Sequence, residues 1–499
     1  MTFKRKRLLL GLMIWILLMI PLKTAFAESD MLEKWLPQEE DLGVQAGDRT
    51  LDYRAFPVTH YGWDIGYDMI EWEWGGIKPK LNDPLPVISN GLYGVGFMIH
   101  TLIVHLSIWL MQLAFHTDLI NQQLEVVTPL MSGLKNSLFV PFLPFSLIFL
   151  VVWAVKKGYW DNQTTQLWSG LLGAILILAG SLWFMSHSGQ SVRAVSVTVD
   201  RIAQVVMGSV ASPYQRITGD VLRNPLEAAD HQLIATSNRL WKLLVDRPWQ
   251  IGEFNRQDAS DVRMTKDEVE GIRKLAEEAK LTLDIREGDA WANSIRKYPS
   301  TSEERRILRL VMGDSQIDHG NHNDISRLFR GQGVDGRGLI LLLSLLSSIC
   351  FLLFIAVVAG IMVVAQEIAL AVILIAPVIF LVGMVPERGF ALILRWTAWL
   401  LGALGTKVVY GFYVGVTLLL ADVLARSSGF LMIQQILVAI LFVVALLYRK
   451  RILQTLLGAI KSPTPHDVYD HSKQEVQRHW SDTKETWMKT KKWVGKWFE

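Results

Sequence analysis

The sequence predicts an all-α, polytopic membrane protein: a signal peptide, about seven transmembrane helices and a helical cytoplasmic insert. Three observations carry this reading. Of 499 residues, 51% are hydrophobic and only 19% charged, against roughly a quarter charged in soluble domains. Mean hydropathy is +0.28. The apolar residues gather in long blocks with the charges between them, a pattern foreign to a soluble enzyme or a disordered chain. The single cysteine, Cys350, lies in an apolar block, which excludes an internal disulfide and reads as a core residue.

Residues 1–27 have the layout of a secretory signal peptide. Lys4 to Arg7 is basic, Leu8 to Leu22 is apolar, and Ala25-Phe26-Ala27 offers small residues for cleavage. An uncleaved anchor helix is the alternative. Either form leaves the basic end in the cytoplasm and starts residue 28 outside. Residues 28–85 form an acidic extracytoplasmic segment with thirteen acidic and five basic side chains. Trp63, Tyr67, Trp72 and Trp74 crowd its second half and read as headgroup-level anchors.

Residues 86–187 form a first bundle of three spans, at about 90–114, 138–155 and 167–187. Residues 188–337 form the insert, with 22 basic and 22 acidic residues. Its helices start at capping boxes, Thr265 to Glu268 and Ser300 to Glu303, each followed by apolar residues at helical spacing. Residues 338–448 form a second bundle of four spans. The stretch 338–386 contains one charged side chain, Glu367. As one helix it would be roughly 70 Å long, so the expectation is two spans, about 338–360 and 368–385, with a tight turn between. A span followed by a re-entrant segment broken at Pro377 is the runner-up. Spans at about 396–421 and 429–448 follow, closed by Arg449-Lys450-Arg451, which belongs in the cytoplasm. Counting seven spans back places the insert inside and residues 28–85 outside, with Lys156 and Lys157 dissenting. Residues 449–499 form a basic tail. Trp480, Trp487, Trp493 and Trp497 interleave there with lysines, as on an amphipathic helix that lies on a membrane or docks a partner.

Enzyme motifs are nearly absent, and neither catalysis, a cofactor nor a metal is expected. Gly331 to Gly336 matches G-x-G-x-x-G by letter, but a membrane span follows it, so it reads as a membrane-edge linker. His100 and His105 are five apart and do not share a helix face, so packing or interhelical hydrogen bonding accounts for them. Glu367 and Lys407 are the candidate path or bundle-interior residues, because charge within a span normally faces a bundle interior or a wet path. Asp422 reads as a boundary residue. Pro377 and Pro386 are candidate hinges. Gly402, Gly405, Gly411 and Gly415 are candidate packing positions, the last two forming G-x-x-x-G.

One resemblance adds to this. Gly320-Asn321-His322-Asn323, Arg327-Leu328, the apolar run, Gln366, Leu374 to Pro377, Met384 to Pro386 and Arg395-Trp396 resemble the polytopic channel subunit of conjugative type IV secretion machines. The likeness is especially to the Gram-positive conjugative-element version, and it is strongest over about 315–450. It implies a non-enzymatic inner-membrane passage for relaxase-bound single-stranded DNA. The implied partners are separate ATPases, a coupling protein, a cell-wall hydrolase, further copies or subunits, and membrane lipid. Many members carry a large soluble C-terminal region, where this chain has a short basic tail. A non-conducting scaffold for ATPases and hydrolase is a rival reading, as is an unrelated ion or solute transporter.

Overall fold

The computed structural model describes residues 56–67, 70–72, 79–81, 84–211, 225–385, 389–427 and 431–460. The expected signal peptide, Trp74, Pro386 and the four tail tryptophans lie outside the described residues. The chain forms two compact units, Met1–Leu446 and Leu447–Glu499. Of the second, the last helical turns up to Ile460 are described.

The molecule is all-α, with one short antiparallel hairpin, β1 (Ile70–Trp72) and β2 (Pro79–Leu81), in register Ile70↔Leu81. Helix α1 (Pro84–His116) is followed by α2 (Leu119–Leu134) and α3 (Val140–Val155). These two are joined by a π turn at Lys135–Phe139, and a second π turn follows α3 at Lys156–Trp160. Next come α4 (Thr164–Ser186), α5 (Ser188–Ala211) and α6 (Pro225–Trp241). A third π turn leads into α7 (Arg247–Phe254). The shorter helices α8 (Lys266–Glu278), α9 (Trp291–Arg296), α10 (Glu303–Gly313) and α11 (Asn323–Phe329) precede three long ones. These are α12 (Asp335–Gly383), α13 (Gly389–Ser427) and α14 (Leu431–Ile460).

Among the described residues six helical stretches are long and apolar enough to cross a membrane: Leu85–His116, Leu119–Trp160, Thr164–Ser186, Asp335–Gly383, Gly389–Ala425 and Ile433–Ile452. The protein is a multi-pass, membrane-embedded one. The expectation of two spans in 338–386 is corrected, because α12 runs unbroken through Gly360, Glu367 and Pro377. No turn is needed at Gln366 and Glu367, since both find partners across the helix: Gln366 accepts from the Leu119 amide and Glu367 from Gln123. Nor does the chain break at Pro377, whose flanks are continuous strong helix and β-branched apolar residues packed on neighbours.

A head gathers at the end where α1 and α12 begin. It comprises residues 56–67, α7 to α11 and their loops. From it α1 and α12 run side by side in the same direction, as Asn90 lies at Arg337, Gly96 at Leu341 and His100 at Ser348. The chain continues away through α2 and α3, where Ser146 donates to the Leu381 carbonyl. It returns through α5, which places Gly189 at Thr128, Ser196 at Asp118 and Gln204 at Phe115. Helix α6 completes the return along α1, with Ser237 at Gln112, Trp241 against His105 and the Leu244 carbonyl at His100. Helix α13 runs back along α12, and α14 leaves beside it, Gln435 at Ser347 and Phe442 against Phe351 and Phe354.

Two expectations change here. The insert is helical, but its first part, α5 and α6, is a return limb inside the bundle rather than part of a separate soluble domain. Residues 56–67 and the insert were expected on opposite faces. They share one core, Trp249 and Arg305 of the insert bonding to residues 62–64. Trp63 donates to the Trp249 carbonyl at 3.1 Å and packs on Phe97, which makes it a core residue and not a headgroup anchor.

Cap geometry explains the head's helix starts. Thr265 and Glu268 form the full reciprocal box at α8. At α10 the cap is Ser302, which accepts from the Arg305 amide, two residues beyond the box expected at Ser300. Gly331 and Gly333 take φ of +83° and +89°, shaping the linker into α12.

Candidate functional site: buried charge pairs between the return limb and the spanning helices

Helix α5 has too many polar residues to read as a span, and that polarity is what it buries. Its Ser196, Asp200 and Gln204 repeat every four residues and are all buried, forming one helix face. On the facing side α13 presents Lys407, 3% exposed at mid-helix. Its Nζ lies 2.7 Å from Asp200 Oδ1 and donates to the Thr117 carbonyl at 3.1 Å. Asp118 caps α2 by accepting from the Asn121 amide and also accepts from the Ser196 hydroxyl at 2.7 Å. Beside it His116 Nδ1 lies 3.2 Å from Asp230 of α6. One turn of α1 and α2, the middle of α5 and the middle of α13 thus meet in a belt of charge deep in the bundle.

A second pair lies nearer the head. Asp422 of α13 meets Arg239 of α6 at 2.6 Å and is buried, so it is an interior ion-pair residue and not a boundary one. The two pairs have opposite polarity, with α13 supplying the cation in one and the anion in the other. Swapping or shifting α5 and α6 against α13 would set like charges together, so the pairs also fix register.

Glycine makes the approach possible. A Cβ on Gly411 would lie 2.7 Å from the Ala203 carbonyl oxygen, and one on Gly415 would lie 2.7 Å from that of Met207. The G-x-x-x-G face therefore receives α5 at backbone distance. Gly402 and Gly405 meet no neighbouring atom within 4 Å and take no part. Glu367 is on the exposed face of α12, hydrogen-bonded by Gln123, and not in the interior with Lys407. Pro377 is buried within an uninterrupted helix. His100 bridges helices as expected, with Ser348 at 3.1 Å and the Leu244 carbonyl at 2.7 Å. The sequence reading missed Asp200, Arg239 and Asp230. The signal for Asp200 was the four-residue polar repeat in α5, masked by an overall composition that reads as soluble, whereas Arg239 and Asp230 lie on α6, outside that repeat.

Two buried arginines organise the head, Arg305 within it and Arg337 where it joins the bundle. Arg305 of α10 donates to Asp64 Oδ2 at 2.7 Å, to the Gly62 carbonyl at 2.6 Å and to the His60 carbonyl. Arg337 at the start of α12 donates to the carbonyls of Gly252 and Asp64, each at 2.7 Å, and to Asn90. Asn90 in turn donates to the Trp63 carbonyl at 2.6 Å. Glu253 is fully buried and accepts from the Asp64 amide at 2.9 Å. Burial first, then the nearby Asp64 charge, pushes its carboxyl well above the usual range. Burial likewise raises the Tyr61 hydroxyl to about 12.

Compared with known proteins, the chain matches no family model, no curated protein and no solved structure.

Proposed function

We propose that this protein is a membrane subunit of a conjugative type IV secretion machine, one that helps build the passage for relaxase-bound single-stranded DNA. The sequence resemblance over about 315–450 suggests the machine. One structural observation supports a subunit embedded in a larger assembly: apart from Glu367, which Gln123 hydrogen-bonds, α12 carries large apolar side chains on its outside over more height than a bilayer covers. Its exposed large side chains run from Leu339 to Val382, which is roughly 65 Å at 1.5 Å per residue. A hydrocarbon core is about 30 Å thick, and even a tilt of about 40° leaves roughly 50 Å. The excess calls for protein neighbours.

The passage runs between subunits in this reading. Lys407 is neutralised by Asp200 and α5 is packed at backbone distance, so the interior of one copy is filled. That same filling favours the non-conducting scaffold as the second reading. Photo-crosslinking from the exposed face of α12, at Ile375 for example, separates them during mating. Crosslinks to transferred DNA support the passage, and crosslinks to proteins alone support the scaffold. Deletion with complementation tests the machine itself: transfer should be lost and restored, and undiminished transfer refutes the assignment.

Orientation is the other part of this reading, and it rests on the expected signal peptide. The expected signal peptide puts residue 28 onward outside, and residues 56–67 are built into the head, so the whole head is extracytoplasmic. The far turn carrying Lys156 and Lys157 is then cytoplasmic, where basic residues belong. Helix α14 leaves the head toward the cytoplasm before Arg449-Lys450-Arg451. This replaces the expected cytoplasmic insert, keeps the tail inside, and removes the dissent of the two lysines.

A further inference from the structure

We infer that the head binds one divalent transition-metal ion of the zinc class through Glu268, His319 and His322. None of these was a candidate ligand in the sequence, where Glu268 was fully accounted for by its capping box. The inference does not depend on the secretion-machine reading.

The three donors come from two stretches about fifty residues apart and converge. Their ligating atoms all lie within 4.8 Å of one another, and the side chains are buried. His319 Nδ1 is 2.7 Å and His322 Nε2 2.8 Å from the same oxygen, Glu268 Oε1. Both imidazoles are presented by one tight turn, in which Gly320 has φ of +55° and the His322 amide donates to the His319 carbonyl at 3.2 Å.

The outer atoms of the ligands are the telling feature. Glu268 Oε2 accepts from the Thr265 amide at 2.8 Å and from Trp291 Nε1 at 2.9 Å. His319 Nε2 donates to the Asp314 carbonyl at 2.8 Å. Metal-ligating histidines almost always donate their second nitrogen to a carbonyl or carboxylate, which fixes the ring for the ion. So the outer atoms of Glu268 and His319 are tethered, while both inner imidazole nitrogens gather on Oε1, the three ligating atoms lying within 4.8 Å of one another. Tetrahedral zinc with bonds of about 2.0–2.2 Å holds its donors roughly 3.3 Å apart, so an opening of about half an ångström seats the ion. Two nitrogens and one carboxylate oxygen suit zinc and its neighbours and not calcium or magnesium, which want oxygen alone. Three protein donors leave the fourth tetrahedral position to a water, and the ion would clasp the start of α8 to the 314–322 turn.

The test uses the full chain purified in detergent, stripped with a chelator and reloaded with Zn2+ alone. Wild type should retain one zinc per chain by elemental analysis and gain thermal stability on loading. Co2+ in its place should give the visible absorption of a low-symmetry nitrogen and oxygen site. His322→Ala and Glu268→Gln should lose the metal, whereas His60→Gln should keep it. Trp291→Phe removes the outer hydrogen bond to Glu268 Oε2, together with part of a buried ring, and should weaken zinc binding by about tenfold. Should a ligand variant fail to fold, the cobalt spectrum and metal content of wild type decide alone. Folded wild type that returns from loading without zinc overturns the inference. So does zinc retained at full stoichiometry in a folded His322→Ala.

Discussion

Lys407 is tolerated at the middle of a spanning helix because Asp200 meets it at 2.7 Å and the Thr117 carbonyl takes a second proton. Removing one partner strands the other charge in a dry site, at a cost of about 3–5 kcal/mol, whereas replacing both by apolar residues is often near neutral. Lys407→Met should therefore lower the thermal midpoint in detergent strongly, and adding Asp200→Leu should restore most of it. If the double variant is as unstable as the single, the pair is not the reason Lys407 is held. In the head, His60 donates from Nδ1 to the Arg296 carbonyl at 2.7 Å. Burial chiefly, with the nearby Arg305 charge, lowers its pKa below the ordinary 6.5, against the raising effect of that hydrogen bond. The folded state then binds fewer protons than the unfolded, so stability is lost as pH falls below 6.5 through the lowered value. The midpoint gap between wild type and His60→Gln should change across that window and stay constant above it. A gap that is flat throughout would show that His60 does not titrate on unfolding.

At the scale of helices, α5 is the element whose placement overturned the expected domain plan. Lys407, Gly411 and Gly415 were visible in the sequence as a charge and a close-packing motif on one span. What they pack against was not visible, because α5 carries its polar residues inward to meet them. A helix whose polar stripe faces other spans has the composition of a soluble helix, and periodicity alone cannot tell inward from outward. The unbroken α12 was missed for a related reason: the length argument assumed that lipid must cover all of it. The start of α8 was legible, since Thr265 and Glu268 sit at their expected positions, whereas the cap of α10 falls at Ser302 and not at Ser300. The Glu268, His319 and His322 cluster was not, since its two parts lie far apart in the chain. Gly415→Val should cost about 1–3 kcal/mol by driving a side chain into the Met207 backbone. Gly402→Val, with open space around it, should be nearly neutral. Equal losses from both would mean that α5 does not dock on α13 at this face.

For the molecule as a whole, sidedness is the testable property. In a Cys350→Ser background, Glu287→Cys on the head should react with an impermeant maleimide on intact cells. Thr165→Cys, beside the far turn, should react only after permeabilisation. The reverse pattern would invert the orientation argued above. The two arginines at the head have a separate consequence, for manufacture. Gly62, Trp63 and Asp64 are held by groups that leave the ribosome some 190 to 270 residues later, namely the side chain and carbonyl of Trp249 and the side chains of Arg305 and Arg337. Until translation passes Arg337 this stretch has no finished binding site. The polypeptide cannot mature front to back: residues 62–64 wait, half-dressed, for the last stitch at the threshold of the longest helix.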